Sequence, residues 1–329
     1  MVATPLYASR LNSFKVGADQ YWPGKNRITA VDLLERAAAV EGLNAADINY
    51  PDHFEGTSAA ELSATLERTG VHLNGLAMRY YGDPAFGLGA FTNPDPVVRQ
   101  AAVDLTKRGI DALAEMGGDL MTLWLGQDGF DYPFQADYAR LWDHTVAAIQ
   151  EVAVHNDAVD VAIEYKPNEP RAYSLVPDVG TALLAIREAG NANLGITLDF
   201  AHVLYADEMP AHAAVLVGRH SRLLGIQLND GYGKRDDGLM AGSVHPVQTL
   251  ELLVELERIG YDRAVYFDTF PDKGLDPQAE TQVNIEAVER LRAIARTLID
   301  DADLAAAIAR QDAPTSQRIV GKALYAQAG

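Results

Sequence analysis

Eight short runs rich in β-branched and aromatic residues, each followed by a longer stretch of helical periodicity, constrain this chain more than any other feature. Strands separated by helices of that length cannot pair as hairpins. The helix carries the chain back across a sheet face, so successive strands run parallel. The strand-like runs lie near 5–9, 45–49, 72–78, 119–125, 160–166, 194–199, 223–229 and 263–268. Helical patterns lie near 30–41, 58–69, 95–116, 136–155, 177–189, 208–219, 246–259 and 278–298. Gly42, Gly70, Gly117, Gly190 and Gly260 stand where five of these helices should stop. Eight βα units close a (β/α)8 barrel. An open doubly wound sheet is the competing arrangement, but no Gly-x-Gly-x-x-Gly turn follows the first strand. The expectation is one α/β barrel domain over residues 1–299 and a C-terminal helical tail over 300–329. That tail carries a helical pattern from Asp303 to Arg310, and either folds back on its own subunit or grips a neighbour.

Composition narrows the function classes. The 329 residues are 48% hydrophobic, enough to bury a large core without staples, and contain no cysteine. Disulfides, thiolate ligands and cysteine nucleophiles are therefore excluded together. The formal charge of −19 opposes a nucleic-acid phosphate backbone, so DNA and RNA are not expected partners. The N-terminus, Met1-Val2-Ala3-Thr4-Pro5, has no basic region followed by an apolar core, and no stretch has the length and apolarity of a membrane span. A cytoplasmic protein without membrane association is expected.

In this architecture active sites form at the C-terminal ends of the strands. The fifth strand reads Val161-Ala162-Ile163-Glu164-Tyr165-Lys166, and a period of two sends Glu164 and Lys166 to the same face. The sixth ends at Asp199, the seventh at Asn229 and Asp230, and the eighth at Asp268. A single Asp or Asn at such a place is commonly a helix cap. Several anions converging on one barrel mouth repel each other unless a cation neutralises them, and a hard divalent ion with oxygen ligands does so. Trp124, Phe130, Phe134 and Trp22 offer faces on which the C–H surface of a sugar can stack. The loop from Met78 to Asp83 can reach its hydroxyls, and Asn229 is expected against the substrate. For His53 and His245 a structural role is expected.

Taken together, the segments Trp124-Leu125-Gly126-Gln127-Asp128-Gly129, Glu164-Tyr165-Lys166, Leu198-Asp199-Phe200-Ala201-His202, the loop from Asn229 to Leu239, Gly242-Ser243-Val244-His245-Pro246 and Asp268 resemble a xylose isomerase-like TIM barrel. The pattern is most similar to the bacterial L-rhamnose isomerase type of sugar isomerase. The resemblance implies a metal held by Glu164, Asp199 and Asp268 with a ligand from the seventh strand. Where those isomerases place a His, this chain has Gln227, whose carbonyl oxygen favours harder ions. It further implies that His202 and the pair Asp236 and Asp237 hold a second ion near the substrate oxygens. Mn2+, Mg2+ or Co2+ is the expected cofactor.

A divalent ion among carboxylates binds adjacent hydroxyl and carbonyl oxygens and prepares hydrogen transfer between neighbouring carbons. The transfer goes as a hydride shift or through an enediolate, with Asp268 as the candidate base and Glu164 and Lys166 at the reacting atoms. The expected function is therefore a sugar isomerase or epimerase. The same site on a 3-keto-glycoside would support β-elimination, as in barrels of this superfamily that form the larger subunit of a two-protein C-glycoside-cleaving complex. A sugar-binding scaffold without catalysis is the non-enzymatic alternative. The superfamily's DNA-repair branch, with its His-rich zinc site and basic groove, disagrees with eight histidines and this charge. Expected partners are a small sugar, further copies of the chain and, in the lyase case, a small second subunit.

Overall fold

The computed structural model describes residues 5–271 and 274–325. Its strands are β1 (Tyr7–Arg10), β2 (Ala45–Tyr50), β3 (His72–Met78), β4 (Leu120–Trp124), β5 (Gly129–Phe130), β6 (Asp160–Glu164), β7 (Tyr173–Ser174), β8 (Leu194–Asp199), β9 (Leu223–Leu228) and β10 (Val265–Phe267). Eight of them close into a parallel barrel in the order β1, β10, β9, β8, β6, β4, β3, β2. The TIM barrel expected from the alternating pattern is thus present. The remaining two, β5 and β7, form a small antiparallel pair that the period-two pattern did not announce, because each is only two residues long.

The helices are α1 (Ala18–Tyr21), α2 (Ala30–Ala38), α3 (Ala59–Thr69), α4 (Pro96–Glu115), α5 (Tyr138–Ala153), α6 (Val179–Ala189), α7 (Phe200–Tyr205), α8 (Pro210–His220), α9 (Pro246–Ile259), α10 (Pro277–Leu298), α11 (Ala302–Ala309) and α12 (Ala313–Tyr325). Local chemistry sets their ends. Ser58 and Glu61 form a reciprocal capping box at the start of α3, and Gly70 ends it in the left-handed region at φ 71°. Pro96 opens α4 behind the carboxylate cap of Asp95.

Strand residues that face outward, such as Val161 and Ile163, join the main core under the helices, while Leu120, Ala162 and Leu224 fill the barrel axis. The tail folds back on its own barrel. Leu304 and Ala307 are buried, and Ile319, Val320, Ala323 and Leu324 pack against the core. Residues 1–4 and 326–329, which belong to the N-terminal and tail expectations, lie outside the described residues. Among the described residues no helix is long and apolar enough to cross a membrane.

Candidate active site

The pleat decides what each strand delivers to the mouth. Ala162 faces the barrel axis, so Glu164, two residues on, faces inward at the last position of β6. Asp199 ends β8, directly across from Gln227 on β9. β8 then runs without a linker into α7. The Asp199 carboxylate caps that helix, accepting from the His202 backbone N–H at 2.9 Å, and this first turn fixes His202 beside the strand end.

Glu164, Asp199 and His202 are all buried, and each offers one ligand atom within 4.8 Å of the others. His202 Nδ1 lies 3.6 Å from Glu164 Oε1 and 4.0 Å from Asp199 Oδ1, while its Nε2 lies 3.2 Å from Asp236 Oδ2. Gln227 Nε2 donates to Glu164 Oε2 at 3.0 Å, which turns its carbonyl oxygen away from that carboxylate. Asp236 arrives from the loop after β9 and accepts from Lys166 Nζ at 3.1 Å. Lys166 is also paired with Glu169 at 3.1 Å, and its ammonium sits 5.5 Å from the centre of the Trp124 ring.

Four side-chain atoms at this place are buried without a hydrogen-bond partner among the described residues: His202 Nδ1, Gln227 Oε1, Asp236 Oδ1 and Asp268 Oδ1. Asp268 Oδ1 has Arg10 Nε at 3.4 Å, an ion pair without hydrogen-bond alignment. A buried polar atom left so costs about 1–3 kcal/mol, and such atoms are rare in native proteins. Three oxygens and an imidazole nitrogen, beside the carboxylates of Glu164 and Asp199, are a donor set that fits a divalent cation.

The electrostatics agree with that fit. Burial pushes Asp199 up to about 8 and Asp268 up to about 6, and neighbouring carboxylates add to the rise in both. Burial alone would lower His202, but Asp199, Asp236 and Glu164 outweigh it and raise it to about 9. Burial also works against the charged forms of Asp236 and Lys166. It is overcome in both, so that His202 and Lys166 hold Asp236 far below the usual carboxylate range and Asp236 and Glu169 hold Lys166 above its usual value. The cluster therefore attracts positive charge, and a bound metal would compete with protons for the same atoms.

These groups open into a cavity of about 390 Å³ lined by Glu164, Lys166, His202, Asp236, Asp268 and Trp124. Arg79 and Tyr81 line it too, from the loop expected to reach the substrate. Gln127, from the segment after the fourth strand that carries the resemblance, lines it as well, and Arg10, Glu169, Pro170 and Phe270, not singled out from the sequence, complete the wall. Arg10 is the last residue of β1, one position beyond the predicted strand end.

Five expected site residues require correction. Asn229 is fully buried: it donates to Asp199 Oδ2 at 3.0 Å and to the Asp268 carbonyl at 3.1 Å, and accepts from the Ala201 N–H. It orients Asp199 and does not face the cavity. Asp237 turns away as well, accepting from the Tyr232 N–H and from Arg235. Trp22 packs beside Tyr21 and under the Arg36 guanidinium, away from the cavity. Phe130 is drawn into the small sheet, where it stacks on Tyr173. Phe134 is fully exposed. His53 is buried between the Asn49 N–H and Asn12, and His245 is bound to Asp230.

An eight-stranded parallel barrel with a ligand cluster at its C-terminal mouth defines the class of protein. The chain belongs to the xylose isomerase-like TIM barrel family, whose model matches residues 34–294. It is 31% identical over 209 residues to the xylose isomerase of Thermus thermophilus, an alignment covering 62% of this chain and 54% of that one. The chain thus spans about half the length of this relative. Among solved structures, L-ribulose 3-epimerase superimposes with a TM-score of 0.67 at 16% identity, covering 91% of this chain and 99% of that one. A D-tagatose 3-epimerase-like protein gives 0.67 at 16% identity, covering 89% and 98%. At these identities the likeness is one of fold.

Proposed function

We propose that this chain is a divalent-metal-dependent sugar isomerase or epimerase. The observation that carries the reading is the set of four orphaned buried donor atoms beside Glu164 and Asp199, three of them on His202, Asp236 and Asp268, which line one cavity with Lys166, and the fourth on Gln227 behind Glu164. Its volume of about 390 Å³ falls in the range of small-molecule sites. The relatives named as xylose isomerase and L-ribulose 3-epimerase support the reaction class. The L-rhamnose isomerase type is supported by the segments around Asp199 and Asn229.

Glu164, Asp199, His202 and Gln227 would hold the ion, with Asp236 and Asp268 beside them. When bound, it polarises a substrate carbonyl and acidifies the adjacent hydroxyl. A neutral Gln227 oxygen favours Mg2+ or Mn2+ over softer ions. Lys166, kept charged by Asp236 and Glu169, is placed to donate to a substrate oxygen as negative charge grows on it. Burial pushes Asp268 up to about 6 and it faces the cavity, which suits a group that takes a proton and returns it. Arg10 and Arg79 supply donors for hydroxyls, and Trp124 and Phe270 supply apolar wall.

The test is to strip the protein with EDTA, restore Mn2+, Mg2+ or Co2+ singly, and assay aldoses, ketoses and 3-keto-glycosides by NMR. Interconversion of free sugars only in the metal-restored samples is expected. Full activity after verified metal removal refutes the centre. Elimination from 3-keto-glycosides with no turnover of free sugars replaces the isomerase by the lyase.

A further inference from the structure

A second cavity, of about 460 Å³, opens between the first turns of α4 and α5 and the segment after β6. Its charged lining is Arg99, Arg140, Arg171 and His144, against a single carboxylate, Asp137. In a chain with 46 acidic and 27 basic residues this is a local reversal of charge. The carboxylates nearby are already engaged. Asp137 caps α5, and Asp131 accepts from Arg171 Nε at 2.8 Å. Arg99 donates to the carbonyls of Asn93 at 2.6 Å and Pro94 at 3.2 Å. Among the described residues neither Arg99 nor Arg140 has a carboxylate within 4.0 Å. His144 is held below its usual value by burial and then by Arg99 and Arg140, with Asp143 opposing.

Cations gathered around a hollow repel one another, and an anion placed among them removes that cost. Arg171 is paired with Asp131, so the charge left for a ligand is that of Arg99 on α4 and Arg140 on α5, which reach the cavity from separate elements. That arrangement suits a tetrahedral phosphate with several acceptor oxygens better than a planar carboxylate, which a single fork-like guanidinium already satisfies. We propose that this cavity is a second ligand site that takes the phosphate group of a small phosphorylated metabolite. Its volume leaves room for the body of the molecule as well as the phosphate. The site is separate from the mouth but shares a wall with it: Arg171 Nη1 donates to the carbonyl of Gln127 at 3.3 Å, and Gln127 lines the mouth.

The probe is inorganic phosphate, titrated into the full-length protein at constant ionic strength and followed by the His144 ring resonances and the melting temperature. Saturable binding is expected, with the same constant before and after EDTA treatment. Arg140→Gln, an exposed change at a side chain with no carboxylate partner, should weaken it roughly tenfold, and Arg99→Gln comparably. Lys166→Met should leave it unchanged. A response that chloride reproduces overturns the site. Binding unaffected by both arginine variants overturns it, and so does binding lost with EDTA or with Lys166→Met, which would put the phosphate in the mouth.

Discussion

Two groups of buried carboxylates sit at the same rim of this barrel and are treated in opposite ways. Asp230, just beyond β9, is saturated: Oδ1 accepts from the Gly231 N–H at 2.9 Å and His245 Nδ1 at 2.8 Å, and Oδ2 from the Val244 and His245 N–H groups, both at 2.8 Å. Glu164, Asp199, Asp236 and Asp268 are crowded together with fewer donors than their oxygens can use, and two of the four keep an orphaned oxygen. Position on the strand does not separate the groups; donor supply does. A saturated carboxylate is a structural clamp, and an undersupplied cluster is a cation site.

The largest effect expected from this contrast is on metal affinity. Glu164→Gln and Asp199→Asn should each lower it by more than about 100-fold, since even outer-shell partners of a metal are worth 10–100-fold. Glu164→Gln should keep its stability, because it removes charge from a crowded anionic cluster, whereas Asp199→Asn should stay folded at some cost, because its new amide faces the N–H of Asn229. Wild-type metal content in either, measured by mass spectrometry, breaks the distinction. Lys166→Met tests the other side of the cluster. It should retain the metal and lose roughly 100-fold or more in kcat at saturating ion. If Lys166 serves only to offset charge, metal affinity or melting temperature will change and kcat will not.

Asp230→Asn should show the reverse pattern. It replaces a fully engaged acceptor with an amide that presents N–H to N–H donors, so stability should fall by about 2 kcal/mol or more while metal affinity holds. Chemical denaturation beside a metal titration checks both halves, and a loss of metal affinity with unchanged stability would merge the two groups. The smallest effect concerns pH. Asp199 and Asp268 have raised values, about 8 and about 6, so their proton-bound forms are favoured in the metal-free fold and compete with a cation. Affinity should therefore rise as pH increases from 5 to 8, by up to roughly tenfold per unit for each proton displaced. Calorimetry in buffers of different ionisation enthalpy counts those protons, and a pH-independent affinity contradicts the sign.

The strand-borne part of this site was legible because it follows from a period of two. Once Ala162 was placed inward, Glu164 had to follow, and Asp199 and Asp268 ended apolar runs in the same way. Asn229 was misplaced because the direction of an amide at a strand end depends on its tertiary partners, here the Ala201 N–H and Asp199 from the neighbouring strand. Trp22 and Phe130 failed for a related reason: loop aromatics have no periodicity, so nothing local told that one packs near Arg36 and the other joins a two-stranded sheet. Arg10 was hidden by a strand boundary placed one residue early. The arginines of the second cavity come from positions 99, 140 and 171, a juxtaposition that only the folded chain displays.

Asp199 carries two duties, ending a barrel strand and capping the helix that begins at Phe200. Because its carboxylate both accepts from the His202 amide and sits among the ligand atoms, whatever binds there also acts on the first turn of α7. Occupancy of the mouth should thus be readable without substrate, as slowed amide exchange at His202, and α7 becomes an internal gauge of how firmly the centre is filled.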